Sequence, residues 1–371
     1  MSVIRPAAVI ILAAGEGTRM KSAIPKVLHQ ICGQSMLDYV LAAARELDPE
    51  EIIVVAGHRR EEVQRHLAEH APDARVVIQD RQGGTGHAVR VVVEETGLER
   101  GMVVVTYGDT PVLRGRTLAA LVRQHAAENA AATALTAVMP DPAGYGRIIR
   151  DEAGGFAEIV EEAEATPEQR AITEVNSGMY AFDARLLADS VKRLPTGNAK
   201  GEEYLTDVVA ILRAEGHHVA SVQQADPAEV AGVNDRAQLA QARHAINQRL
   251  LAEWMRSGVS VVDPATTMVD AGVSIGPESE IGPGTQLQGQ TEIGAGARVG
   301  PGCLLRDTTV GAGATVIHAV CESAVIGPGV TVGPFAHLTP GTVVKSPDRQ
   351  APGGMGAAAR GTQPNEGVQQ A

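Results

Sequence analysis

The chain has 371 residues, of which 44% are apolar and only 2% aromatic, and it carries a formal charge of −12. That length exceeds one small domain and suggests two, while the acidic balance argues against a general nucleic-acid binder and leaves room for a local basic pocket. Three cysteines, Cys32, Cys303 and Cys321, lie far apart with neither metal-ligand spacing nor a disulfide framework, which fits a reducing, cytoplasmic compartment.

The first element is an apolar run after Arg5. It is short and empties directly into a charged glycine loop, so it reads as a buried parallel strand, Ala8–Ala13, rather than a signal peptide. No segment has the length of a membrane span. Further strands are expected at Glu51–Ala56, Arg75–Gln79 and Met102–Thr106, with Ala-rich helical stretches at Met36–Leu47, Glu61–Glu69, His87–Glu95 and Thr117–Glu128. Alternation of this kind predicts a Rossmann-like α/β unit, a mostly parallel sheet with helices on both faces and ligands at the carboxyl ends of its strands. Leu239, Ala242, Ile246, Leu250 and Trp254 then recur at spacings of three and four, one face of a long helix ending near Gly258.

Beyond that helix the period changes to six. Val269, Ile275, Ile281, Leu287, Ile293, Val299 and Leu305 keep it without a break; after one slip it resumes at Val310 and Val316, and after another at Ile326, Val332, Leu338 and Val344. One inward aliphatic every six residues, usually followed by glycine, marks a left-handed parallel β-helix of hexapeptide repeats, here of about four coils. After Ser346 the pattern stops. Residues 347–371 are rich in Gly, Ala, Pro and Gln and are expected to be disordered.

The chemistry should sit in the loop after the first strand. Leu12, Ala13 and Ala14 lead into Gly15-Glu-Gly-Thr-Arg-Met20, where Gly15 and Gly17 let backbone N–H groups approach phosphate oxygens and Arg19 can grip a phosphate. Lys26 follows Pro25. Together these groups could cradle a triphosphate and stabilise charge at a transferring phosphorus; on spacing alone, a solvated turn with two surface cations is an equal reading. The loop lacks the Gly-Lys-Ser/Thr ending of a Walker loop, and Met20 stands where a dinucleotide fingerprint needs its third glycine. Asp109, after Tyr107 and Gly108, reads by itself as a cap ahead of Thr110-Pro111.

Leu12–Met20 with Pro25-Lys-Val-Leu28 resembles the signature of sugar-1-phosphate nucleotidylyltransferases. Gln79 with Gly84-Thr-Gly-His-Ala88, Tyr107-Gly-Asp109, Gly144-Tyr-Gly-Arg147, Ile159-Val-Glu161, Asn176-Ser-Gly178, Glu203-Tyr-Leu-Thr-Asp207 and Gly232-Val-Asn234 narrow the resemblance. They are similar to segments of the bifunctional N-acetylglucosamine-1-phosphate uridylyltransferase and glucosamine-1-phosphate acetyltransferase family, over roughly residues 7–345. The resemblance implies an enzyme that joins UTP and N-acetylglucosamine-1-phosphate into UDP-N-acetylglucosamine and pyrophosphate, for peptidoglycan precursors. It implies catalytic roles for Arg19 and Lys26, and Mg²⁺ on Asp109 and Asn234. Gln79, Gly84 and Thr85 would read uracil, and Gly146, Glu161 and Asn176 would hold the sugar, with Leu12–Gly15, Gly17, Tyr107, Gly108 and Asn234 also at the substrates. His29 and His87 lie near this region, His29 more simply as a packing residue.

The resemblance fades after Gly333–Gly341. Thr339 stands where the family usually carries an arginine, and further coils with a catalytic histidine are missing. The expectation is therefore uridylyl transfer without acetyl transfer, with the fully bifunctional enzyme and another sugar-1-phosphate nucleotidylyltransferase as alternatives. Residues 1–234 would form the nucleotidylyltransferase domain, 235–260 a linker helix, 261–346 the β-helix and 347–371 a tail. The family implies a homotrimer through the β-helix, with no nucleic acid or membrane partner.

Overall fold

β1 (Ala8–Ala13) is buried along its whole length. A central parallel strand is covered on both faces, which accounts for its unbroken apolar run. In the computed structural model, which describes residues 4–197 and 201–345, β1 leads through short 3-10 turns at Thr18–Met20 and Lys26–Leu28 into a hairpin of β2 (Gln30–Ile31) and β3 (Gln34–Ser35). There follow α1 (Met36–Arg45), β4 (Glu51–Ala56), α2 (Arg60–His70), β5 (Arg75–Ile78), α3 (Thr85–Thr96), β6 (Met102–Tyr107) and α4 (Gly115–Glu128). The expected strands and helices of this region are all present, with ends shifted by one or two residues. α1 starts on a capping box: Ser35 Oγ accepts from the Asp38 amide at 3.1 Å, and Asp38 Oδ2 accepts from the Ser35 amide at 3.0 Å.

The next stretch holds elements the pattern did not resolve: β7 (Ala132–Val138), β8 (Arg147–Arg150), β9 (Phe156–Val160), α5 (Pro167–Arg170), β10 (Glu174–Asp183), α6 (Ala184–Val191), α7 (Thr206–Ala214) and β11 (Val219–Gln224). The main sheet runs β11-β7-β10-β6-β1-β4-β5. β1 pairs in parallel with β4 and β6, β4 with β5, and β11 with β7; β10 runs antiparallel to β6 and β7. Along β1, Ala8, Ile10 and Leu12 join one core cluster with α3, α6 and α7, while Val9, Ile11 and Ala13 join another with α1, α2 and α4. The two-residue period of a strand thus feeds both layers of a Rossmann-like domain.

α8 (Arg236–Arg256) follows, with Asp235 as its N-cap. Leu239, Ala242 and Ile246 are buried as expected, against Met20, Ile31, Met36, Val112 and Val233. Leu250 packs at the edge of the same cluster, and Trp254 packs with the fully buried Leu251 against the β-helix. From Ser260 to Val344 the chain forms three parallel sheets of five two- or three-residue strands, the left-handed β-helix. It has five rungs per face rather than about four coils. Val261 opens the series, and Cys321 fills the inward position between Val316 and Ile326. Cys321 is fully buried between Leu305 and Leu338, so the second apparent slip is two five-residue turns on which a thiol serves as the inward group. The expected tail, residues 347–371, and Ser346 lie outside the described residues.

Candidate active site

The carboxyl ends of β1, β5 and β6 open into one cavity of about 650 Å³, where a doubly wound sheet holds its ligands. Leu12, Ala13, Ala14, Gly15, Lys26, Gln79, Gly84, Thr85, Tyr107, Asp109, Gly146, Glu161 and Asn176, all expected at the site, line it. Arg19 and Asn234 line an adjoining pocket of about 210 Å³ that shares Tyr107 and Asp109. Gly17 and Gly108 line neither, because each is needed for packing. Gly17 has φ +63, and a Cβ there would stand 2.6 Å from Lys26 Cβ. A Cβ on Gly108 would stand 3.2 Å from Val27 and 3.3 Å from Ala13.

Three residues far apart in sequence converge at the junction of the two pockets. The Lys26 ammonium donates to Asp109 Oδ2 and, at 3.0 Å, to Asn234 Oδ1. Asp109 is carried by the turn after β6, and the Val233 amide donates to the Asp109 carbonyl at 2.8 Å, which pins the Gly232–Asn234 segment beside it. The side chains of Lys26 and Asp109 are only 13% and 17% exposed, so this pair sits in a poorly hydrated pocket mouth. One carboxylate oxygen and one amide oxygen therefore converge on a point already occupied by positive charge. A divalent cation that keeps waters and phosphates in its shell requires few protein ligands of this kind. Among the described residues no group of three or more His, Cys, Asp and Glu could hold a metal; Asp109 and Asn234 offer two oxygens side by side at the Lys26 ammonium.

The opposite wall is assembled from β8–β10 and the segment before α7. β10 breaks register with β7 between Asn176 and Tyr180. This bulge turns on Ser177, whose hydroxyl donates to the Leu135 carbonyl at 2.7 Å, and on Gly178, whose Cβ would collide with the Tyr107 ring. The Asn176 side-chain oxygen accepts from the Gly178 amide at 3.0 Å. Thr206 donates to Glu161 Oε1 at 3.2 Å. Backbone bonds from Glu203 to Gly83 and from Gly86 to Glu203, with Leu205 donating to Thr85 Oγ1 at 3.1 Å, tie this wall to the Gly83–Gly86 turn. Burial, reinforced by Asp109 and Glu161, pushes the Tyr107 phenol well above its ordinary range, so it stays a neutral donor.

Sequence reasoning gave no role to Tyr204 and Thr206, although they lie in the quoted Glu203–Asp207 segment, and passed over Tyr180 and Gln82; all four also line the cavity. One signal was available: the chain has only five tyrosines, and Tyr107, Tyr145, Tyr180 and Tyr204 all line this cavity. His29 is buried and its backbone carbonyl holds the start of α1, a packing role as expected. His337 is exposed on the β-helix.

Residues 9–177 match the model of the MobA-like NTP transferase domain, and residues 272–307 match the bacterial transferase hexapeptide model of six repeats. Among curated relatives, the bifunctional protein GlmU of Streptomyces avermitilis is 56% identical over 344 residues, 92% of this chain and 71% of its own length. Those of Thermobifida fusca and Pseudarthrobacter chlorophenolicus are 57% and 49% identical, over 88% and 91% of this chain and 69% and 70% of theirs.

Proposed function

The chain belongs to the GlmU family and is a nucleotidyltransferase producing UDP-N-acetylglucosamine, and we propose that it does so from UTP and N-acetylglucosamine-1-phosphate in the cavity between β1, β6 and β10. The observation that carries this reading is the meeting of Lys26, Asp109 and Asn234 where a glycine loop and a polar sugar-sized wall face each other. The amide-bearing and carboxylate-bearing wall of Asn176 and Glu161, with Gly146 beside it, suits the hydroxyls and acetamido group of the sugar. Gln79, Gly84 and Thr85 suit the uracil edge. Leu12–Gly15 brings backbone close to the nucleotide, and Gly17 and Gly108 support it from behind.

In this reading the sugar phosphate oxygen attacks the α-phosphorus of UTP in line, and pyrophosphate leaves. The protein's task is positioning and charge stabilisation rather than acid–base work. Lys26 exchanges its carboxylate contact for phosphate oxygens, and Arg19, exposed on the pocket rim, closes on the leaving pyrophosphate. GlmU-type nucleotidyltransferases are generally divalent-metal dependent. Here Asp109 and Asn234 would hold Mg²⁺, which would supply positive charge against the charge developing on the phosphates.

Within the proposal, residues 1–234 carry the reaction, 235–260 connect, and 261–346 assemble a homotrimer in the cytoplasm. No helix of the described residues is long and apolar enough to cross a membrane. For acetyl transfer, the second activity implied by the resemblance, we propose that these 371 residues carry no site, because Thr339 stands where the family usually carries a phosphate-binding arginine. The test is pyrophosphate release with a panel of nucleoside triphosphates and sugar-1-phosphates. UTP with N-acetylglucosamine-1-phosphate should lead by a wide margin, and a better rate with glucose-1-phosphate would overturn the sugar assignment. Acetyl-CoA-dependent loss of the glucosamine-1-phosphate amine would overturn the second proposal.

A further inference from the structure

The side-chain amide of Gln79 has one orientation available. Its Nε2 lies 3.0 Å from the Gly84 carbonyl oxygen and 2.9 Å from His87 Nδ1. A carbonyl oxygen only accepts, so the Gln79 atom beside it is the donor nitrogen whatever the histidine tautomer. That nitrogen has two hydrogens, and the two partners use both. His87 Nδ1 must then accept, and the ring's proton belongs on Nε2. What Gln79 has left to offer a ligand in the cavity is Oε1, an acceptor and nothing else.

We propose that His87 is a positioning residue which, by locking the Gln79 amide, makes the site prefer uracil to cytosine. This rests on the uridylyltransferase reading above. Uracil presents an N–H at N3, which can donate to Oε1. Cytosine presents a lone pair at N3, which meets the same oxygen with repulsion and leaves it unpaired. A free glutamine amide accommodates either base by rotating half a turn, since its two ends differ only in polarity. Rotation here would place Oε1 against the Gly84 carbonyl and the Nδ1 lone pair at once.

The lock is itself held in place. His87 is 6% exposed on the first turn of α3, and a Cβ on Gly83 would come within 2.7 Å of its Cγ, so the preceding turn lies flush against the ring. The charged groups around it are Arg81 on the turn after β5, Arg90 and Glu94 on α3, and Glu203 on the segment before α7. Burial is the largest influence and lowers the His87 pKa, with Arg81 and Arg90 acting the same way and the two glutamates opposing. The ring therefore stays neutral at neutral pH, as an accepting Nδ1 requires.

The experiment measures kcat/KM for UTP and for CTP with N-acetylglucosamine-1-phosphate, in the wild type, His87→Leu and His87→Asn. Asparagine puts an accepting oxygen where Nδ1 stands; leucine puts none. The wild type should favour UTP by about a hundredfold or more. His87→Leu should cut that ratio about tenfold, through the UTP KM rather than kcat, because one of two locking bonds is lost. His87→Asn should return it to within about threefold of wild type. An unchanged ratio in a normally melting His87→Leu overturns the inference, and so does a loss that asparagine fails to restore. Nitrogen-15 NMR of the wild-type ring gives an answer that needs no variant to fold: an unprotonated Nδ1 supports the lock, and a protonated one overturns it. A wild type indifferent to the base would sink the uridylyltransferase reading itself, and this inference with it.

Discussion

Replacing Gly17 by alanine tests whether the glycine loop exists to seat Lys26. Gly17 has φ +63, and its added Cβ would lie 2.6 Å from Lys26 Cβ. Carbon atoms in contact rest about 3.5–4.0 Å apart, so the lysine must retreat by about 1 Å. The backbone cost of a left-handed alanine is about 1–2 kcal/mol, which lowers the melting temperature by about 2–4 °C for each kcal/mol in a domain of this size. The displacement acts on rate: a 1 Å misplacement of a positioning group costs about a hundredfold. Gly97→Ala separates the two effects, since Gly97 has φ +66 at the end of α3 with nothing within 4 Å of its Cβ. Pyrophosphate release at saturating UTP and sugar phosphate should fall about a hundredfold in Gly17→Ala and stay at wild type in Gly97→Ala, with similar losses of melting temperature. Turnover of Gly17→Ala within about threefold of wild type would refute the argument, because the predicted shift of Lys26 would then be without consequence.

Lys26→Ala should lower kcat by about 10²–10³-fold, the cost of one oriented charge at a developing anion, with the sugar KM nearly unchanged; near-normal turnover in steady-state kinetics would remove its role. Chelation should abolish pyrophosphate release, and added Mg²⁺ should restore it, while the melting temperature barely moves because Asp109 and Asn234 remain tethered by the Val233–Asp109 backbone bond; activity that survives chelation would count against the metal. Arg90 grips Glu203 through two bonds of 2.9 Å and holds its carboxyl below the ordinary 4.5. A lowered folded pKa means that this stability is fully present above about pH 4.5 and is lost as pH falls through the folded value. Urea melts should accordingly show Arg90→Met less stable than wild type at pH 7, with the gap closing below pH 4, and a gap independent of pH would contradict the assignment. Light scattering should give three times the chain mass, and a monomer would refute the trimer.

The elements legible in sequence were those whose burial is simple. β1 is covered on both faces along its whole length and β4 from Ile52 onward, so their runs are apolar there, and the β-helix needs one inward aliphatic per rung, so its period shows. Cys321 escaped because an inward thiol does not look like an aliphatic, although it occupies the same place. Asn176-Ser-Gly178 entered only through the family resemblance, because serine and glycine serve turns and bulges alike and only the pairing of β10 with β7 distinguishes them. The meeting of Lys26 with Asp109 and Asn234 spans 83 and 208 residues, a distance over which no local pattern carries information. The resemblance to a family assigned all three to one site, but not the bonds from Lys26 to the other two. The orientation of Gln79 depends on which atom faces the Gly84 carbonyl, and that is a property of the fold alone.

α8 explains why the β-helix matters to a site it does not line. Asn234 immediately precedes the helix, and its amide donates to Gln238 Oε1 at 2.7 Å while the Asp235 carboxylate caps the Gln238 amide at 2.8 Å. The first turn of α8 therefore sets the backbone of the residue that faces Lys26. Arg236 donates to the Met20 carbonyl at 3.2 Å, at the end of the glycine loop, and Arg243 to the Gln30 carbonyl at 3.1 Å, just after Lys26. At its other end Asn247 bonds the Thr267 carbonyl and the Val269 amide of the first coil, and Leu251 is buried in the β-helix core. The Cys32 carbonyl of the β2–β3 turn accepts from Ala271 of the same coil at 2.8 Å. Both chain segments that flank Lys26 are thus tied, directly or through α8, to the first rung of the solenoid. A helix anchored at one end in a stack of parallel strands is a stiff reference, and a site that works by positioning phosphates gains from one. Under the proposed mechanism, these bonds are how the β-helix supports the segments that carry Lys26 and Asn234.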